Sequence, residues 1–243
     1  MNSYRQLAAC YDALTGDVAY ERRADFLEKL LRRAKTPVHT VLDLACGTGT
    51  MTWILARRGY EMIGVDGSEE MMALAAAKSG AGEPPVFLHQ SMPALDLYGT
   101  VDAAICCLDS LNYLTRPADV QRTLARLHLF IAPGGMLVFD VNTEAKYRMM
   151  DAQVFLDETE DTYCVWRTEY RREICTYYVD LFRRRGGVWQ RSEEVHRQRY
   201  YAPRQLTEWL QEAGFGSVRL YGDGRLRRPG AEEQRIYVSC VRL

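Results

Sequence analysis

From residue 39 to 141 the chain repeats one rhythm: a short run that is apolar at nearly every position, a turn, then a longer stretch with apolar residues three and four apart. The short runs are 39–46 (HTVLDLAC), 61–66 (EMIGVD), 86–90 (VFLHQ), 101–107 (VDAAICC) and 134–141 (GGMLVFDV). Near-continuous apolarity over so few residues predicts strands buried on both faces, as in a parallel sheet. The stretches 50–58, 68–79 and 117–130 predict helices, with Ser68 as an N-cap and Pro117 in a first turn. Upstream, 4–14 and 19–34 read as two further helices, the second carrying Phe26, Leu27, Leu30 and Leu31 at helical spacing.

From residue 151 the rhythm changes to long, aromatic, roughly alternating runs at 162–170, 174–182 and 188–201, with Gly186-Gly187 as a hairpin turn between the last two. These predict three antiparallel strands inserted into the α/β unit. The earlier pattern then resumes with a helix over 203–214, ended by Gly214, and strands over 217–222 and 235–242 joined by a polar linker that reads as mobile. The expected fold is α/β, a doubly wound, mostly parallel seven-stranded sheet with an inserted antiparallel sheet. Residues 1–150 and 202–243 would form the core with its N-terminal helices, and 151–201 the insertion.

Composition narrows the class. The 243 residues are 47% hydrophobic and 26% charged, ordinary for a folded domain, which sets disorder and coiled coil aside. A net charge of −1 argues against a chain that lives on nucleic acid. The seven cysteines are odd in number and contain no C-x-x-C pair, so neither a disulfide framework nor a structural zinc site is expected, and a cytoplasmic location fits best. The first residues lack the apolar core of a secretory signal, and no run of 18 apolar residues would span a membrane.

In open parallel sheets, ligands bind outside the carboxyl ends of the strands. The loop after the first strand reads Asp43-Leu44-Ala45-Cys46-Gly47-Thr48-Gly49, and its two glycines allow a tight turn with bare backbone facing a ligand. It is not the dinucleotide fingerprint, because Thr52 stands where the third glycine would fall, nor a P-loop, because no Gly-Lys-Ser/Thr follows. Asp66 ends the second strand, where a carboxylate can accept both hydroxyls of a ribose; an N-cap role is the competing reading, but Ser68 is available for that.

The series VLDLACGTGT, GVDGSEEMM, HQSM, CCLDSLNYL and IAPGGMLVFDVNT resembles the class I S-adenosylmethionine-dependent methyltransferases, which have a Rossmann-like fold, and within them a bacterial subgroup of small-molecule type whose substrates are largely unassigned. The likeness spans 4–141, and 203–243 fits the family's last helix and two strands. It implies S-adenosyl-L-methionine as cofactor, with Asp43, Ala45, Gly47 and Gly49 around its methionine part and Asp66 on the ribose. Gly67 and Met71 would lie along the adenine, with Ser91, followed by Met92, where the family often has an acidic residue. Leu108 would line the methyl-transfer site, and Tyr11 would cover the cofactor.

Methyl transfer from a sulfonium needs positioning more than activation, so no metal is expected, and a base only if the nucleophile arrives protonated. On a strand through 194–200, alternation puts Glu194, His196, Gln198 and Tyr200 on one face, a polar pocket wall or else the solvated face of a hairpin. His196 is the candidate base, with Tyr113 and Tyr200 orienting a small-molecule acceptor. Asp109 and Asn112 are further polar candidates, and His89 reads as cofactor-adjacent or structural. Two alternatives stand beside this enzyme. One is an RNA methyltransferase, suggested by Arg183–Arg185, Arg191, Arg197 and Arg199. The other is a cofactor-binding module that pairs through exposed aromatics on the inserted sheet (Tyr163, Trp166, Tyr177 and Tyr178), which also leaves a homodimer open.

Overall fold

The structure, a computed structural model, describes residues 4–80 and 83–243; residues 1–3 and 81–82, which fall within the expected core segment 1–150, lie outside it. Two N-terminal helices, α1 (Ala8–Leu14) and α2 (Tyr20–Leu31), precede the alternating unit. That unit runs β1 (Thr40–Leu44), α3 (Thr50–Arg57), β2 (Glu61–Asp66), α4 (Glu69–Ala77), β3 (Val86–His89), β4 (Val101–Cys106), α5 (Pro117–Phe130) and β5 (Ile131–Asn142). A short helix, α6 (Glu144–Met150), leads to four strands: β6 (Val154–Thr159), β7 (Thr162–Arg171), β8 (Ile174–Arg185) and β9 (Val188–Arg199). The chain closes with α7 (Pro203–Glu212), β10 (Phe215–Gly222) and β11 (Arg235–Arg242).

Seven strands form one sheet in the order β10-β11-β5-β4-β1-β2-β3, parallel except at the two pairings of β11. Successive residues of its central strands feed opposite layers. Ala103 and Ile105 of β4 pack with Leu27, Leu30 and Ile54 from α2 and α3. Ala104 and Cys106 pack with Leu124, Leu127 and Leu206 from α5 and α7. Two-sided burial is why these runs are apolar at nearly every position. β6 to β9 form a separate antiparallel sheet in sequence order. Cys164, Val179 and Leu181 on its inner face pack against Leu7 and Cys10 at the N-terminus.

The sequence reading needs four corrections. The insertion has four strands rather than three; β6 is exposed along most of its length and so carries no inward apolar stripe. Helix α6 was not anticipated, being only two turns long, with the Thr143 hydroxyl capping Lys146 N–H at 3.3 Å. Residues 4–7 form turns, so α1 is shorter than the expected 4–14. The linker between β10 and β11 is tied down rather than loose: Arg225 bridges Glu233 at 2.6 Å, and the Thr143 hydroxyl donates to the Glu233 carbonyl at 2.6 Å.

Candidate functional site

The loop after β1 turns on three residues with positive φ, Ala45 at 61°, Gly47 at 56° and Gly49 at 72°. Nothing lies within 4 Å of where a Gly47 Cβ would stand, so bare backbone faces open space there. At Gly49, a Cβ would come within 3.0 Å of the Phe87 ring, so glycine is required twice over. Asp66, at the end of β2, pins the loop: one carboxylate oxygen accepts Gly47 N–H and the other Ser68 N–H, both at 2.8 Å. Each oxygen retains a second lone pair, so ribose hydroxyls can still be accepted. Burial raises the Asp66 pKa, and the N–H groups of Ser68, Gly47 and Gly67 work against that rise. Ser68 caps α4 through Met71 N–H at 3.3 Å, the cap role for which Asp66 is not needed.

Behind the loop lies Asp43, fully buried, with the Thr52 hydroxyl donating to it at 2.6 Å. Burial pushes its carboxyl up to about 7; the Thr52 hydrogen bond opposes the shift and the Asp66 charge adds to it. A partly open cavity of about 40 Å³ is walled by Asp43, Ala45, Gly47, Leu108 and Tyr11, together with Tyr20, Cys46, Thr48, Thr50, Met51, Cys107 and Ser110. Five of the expected cofactor residues therefore meet at one place. Gly67 and Ser91 face each other beyond it, at the ends of β2 and β3, a Gly67 Cβ falling 3.7 Å from Ser91 Cα. Met92 opens a short helical turn beside them. Met71 is 2% exposed and offers a ligand almost no surface as placed. His89 Nε2 donates to the Gly67 carbonyl at 3.1 Å, which sets the ring beside the residue expected along the adenine. These residues fit the donor: a bare glycine turn, and a carboxylate with spare lone pairs at the next strand end.

The N-terminal segment closes over this loop. Asp12 accepts from the Thr48 hydroxyl at 2.5 Å and pairs with Lys78 at 2.7 Å. Tyr11 touches Tyr4 edge-on with ring centroids 5.7 Å apart, and Tyr4 in turn meets the His196 ring at 4.7 Å.

On β9 the alternation is as expected, but the Glu194, His196 and Gln198 face is buried rather than solvated. His196 is fully enclosed, with Nε2 2.8 Å from Glu194 Oε2. Glu194 also accepts backbone N–H groups from Tyr4 at 2.9 Å, Gln6 at 2.5 Å and Leu7 at 3.1 Å. Burial alone would raise its pKa; the bond from His196 and these N–H groups outweigh that and hold it low. With Nε2 donating to a carboxylate, the free lone pair of the ring lies on Nδ1, which has no hydrogen-bond partner among the described residues. Tyr113 stands 6.0 Å away, ring to ring, its hydroxyl 2.5 Å from that of Tyr4.

Tyr200 does not join this group. The strand ends at Arg199, so the alternation breaks, and Tyr200 lines a separate open cleft of about 660 Å³ with Asn142, Glu144, Arg148 and Glu232. Of the four aromatics read as exposed, Trp166 and Tyr177 instead turn inward onto the N-terminal segment, and Tyr163 is half-buried. The sequence reading also gave no role to Tyr4, Asp12, Asp140 or Arg235. Asp140 and Arg235 did carry a signal, as charges within or at the edge of apolar strands, but nothing local named their partners. No helix among the described residues is long and apolar enough to cross a membrane.

A family model described as a methyltransferase domain matches residues 41–135. YqeM of Bacillus subtilis (strain 168), which is named as a methyltransferase, is 32% identical over 241 residues, 98% of this chain and 96% of its own. The glycine/sarcosine N-methyltransferase of Halorhodospira halochloris is 25% identical over 214 residues, 82% of this chain and 72% of its own. Among solved structures, an S-adenosylmethionine-dependent methyltransferase from Clostridium acetobutylicum ATCC 824 superposes with a TM-score of 0.88 at 24% identity, covering 98% of each chain.

Proposed function

The chain belongs to the class I S-adenosylmethionine-dependent methyltransferases, and on that footing we propose that it methylates a small-molecule acceptor bound between the donor loop and the inner face of the inserted sheet. The observation that carries this reading is His196: a buried imidazole oriented by Glu194, with an unpartnered Nδ1, in ring contact with Tyr4 and Tyr113. Tyr113 lies in the helical turn that starts at Ser110 on the cavity wall. The donor supplies a methyl on a sulfonium whose leaving thioether is neutral. In this reading the inner face of β9 orients the acceptor, and His196 Nδ1 takes the proton its nucleophile loses. Orientation of this kind can supply up to ~7–11 kcal/mol.

An amine is the acceptor class that the glycine/sarcosine N-methyltransferase relative favours. RNA is disfavoured by the net charge of −1, and two of the six arginines suggested for it are engaged within the protein: Arg191 pairs with Asp180 and Glu193, and Arg199 with Glu173 at 2.7 Å. In this reading the segment 151–201 is the acceptor-side wall of the core formed by 1–150 and 202–243. Its outer face, with Tyr163, Phe182 and Trp189 grouped together, supports self-association as a homodimer, which light scattering with Trp189→Glu would test. Seven free cysteines support a reducing, cytoplasmic setting.

The deciding experiment incubates the protein with labelled donor and a metabolite extract and identifies the product by mass. A labelled small molecule is expected, formed ~100-fold more slowly by His196→Ala at unchanged S-adenosylhomocysteine affinity. Label that enters only RNA would overturn the acceptor reading; an unchanged rate in the variant would remove His196 as base.

A further inference from the structure

The turn that leaves β4 carries two consecutive non-glycine residues in the left-handed region, Leu108 at φ 57° and Asp109 at φ 52°. That region disfavours L side chains, so surrounding groups must hold both residues there. The holder is Asp140, a fully buried carboxylate on the neighbouring strand β5. One of its oxygens accepts Leu108 N–H at 2.7 Å, and the other accepts Asp109 N–H at 3.0 Å.

A carboxylate so deep requires a counter-charge. Arg235 supplies it. β11 runs antiparallel to β5 with Arg235 opposite Asn142, which puts its side chain over the carboxyl end of β5. One guanidinium nitrogen donates to Asp140 and the other to Asp109. The second Asp109 oxygen accepts the Gln198 amide from β9 at 2.5 Å. Arg235 is thus the fork that joins the last strand of the chain to the turn after β4, and Leu108 of that turn walls the donor cavity.

We propose that Arg235 is a positioning residue for donor binding: its guanidinium ties Asp109 to Asp140 and so fixes the strained turn that presents Leu108 to the donor. The inference rests on the donor reading of the cavity. An ammonium is a compact point charge with rotatable donors, and it lacks the rigid planar fork that holds the two carboxylates in one fixed geometry.

The test is calorimetric titration of S-adenosylhomocysteine into the full chain, far below the melting temperature, so that a purely structural loss of stability does not move the affinity. Arg235→Lys keeps a positive charge between the two carboxylates and is expected to fold and to bind about tenfold more weakly. Arg235→Ala is expected to bind more weakly still, and to recover with millimolar methylguanidinium but not with methylammonium. If Arg235→Ala fails to fold, Arg235→Lys carries the test alone. Asp66→Ala serves as control. Wild-type affinity in folded Arg235→Lys, with Asp66→Ala weakened, overturns the proposal and leaves the donor reading standing, as does equal recovery by the two cations. Unchanged affinity in Asp66→Ala overturns the donor reading itself.

Discussion

At the scale of single residues, Asp43 makes the donor loop sensitive to pH. An aspartate in the unfolded chain titrates near its ordinary value of 3.8, and burial pushes Asp43 up to about 7 in the fold. Between those values the folded protein binds more protons than the unfolded one, so stability falls as pH rises from about 4 to 7 and levels off above that. The whole effect is ~4 kcal/mol at most. Asp43→Asn retains an oxygen for the Thr52 hydroxyl and carries no charge. Its melting temperature should match wild type near pH 4 and exceed it at pH 7 to 8, with a smaller decline remaining from Asp66, which burial also shifts upward. Thermal melts across that range check it; parallel curves for the two proteins would acquit Asp43. Both carboxylates were singled out in the sequence, Asp66 by its strand end after a glycine turn and Asp43 by the family resemblance. Asp140 and Arg235 were not, since their bond joins residues 95 apart. A sequence can display a charge in an apolar strand without saying what neutralises it.

At the scale of elements, legibility followed burial. The core strands and α5 were placed within a few residues because each has a buried face that leaves a periodic trace. β6 was missed because an exposed edge strand leaves none. The most consequential element for function is α1 with the turn before it. Glu194 accepts three of its N–H groups, and Asp12 fastens it to Thr48 and Lys78. The cavity under it holds about 40 Å³, whereas small-molecule sites are ~300–1,000 Å³. A cavity of that size holds only part of a donor, so α1 is expected to shift when the donor binds. Hydrogen exchange should show residues 4–14 opening readily in the free protein and strongly protected with S-adenosylhomocysteine. Glu194→Ala should speed exchange there without changing it in β1 or β4. Protection of 4–14 that is already complete without ligand, and unchanged by it, would mean that the donor enters elsewhere.

At the scale of the whole molecule, two sheets must act as one body if an acceptor on the inserted sheet is to meet a donor on the core. Their joint was invisible in the sequence, where Asn112 reads as a polar candidate for the acceptor site. In the fold it is fully buried and works in both directions: its amide nitrogen donates to the Arg199 carbonyl at 2.7 Å, and its oxygen accepts Asn142 N–H at 3.0 Å. It thereby clasps the ends of β9 and β5. A carboxylate could still accept from Asn142 but would set an anion against the Arg199 carbonyl, while alanine would leave two buried backbone groups unpaired. Each unpaired group costs about 1–3 kcal/mol, so Asn112→Ala should lose about 2–6 kcal/mol. In a chain of this size that lowers the melting point by roughly 4–24 °C. Because the lost bonds join the sheets rather than support either one, the inserted sheet should loosen first. Scanning calorimetry is expected to show one transition in the wild type, and a broadened or split one in Asn112→Ala and Asn112→Asp. Near-ultraviolet signals from Trp166 and Trp189 on the inserted sheet should be lost in the earlier phase. A single sharp transition in both variants, shifted by less than a degree, would mean that the sheets are held together elsewhere, leaving the N-terminal segment between them as the joint.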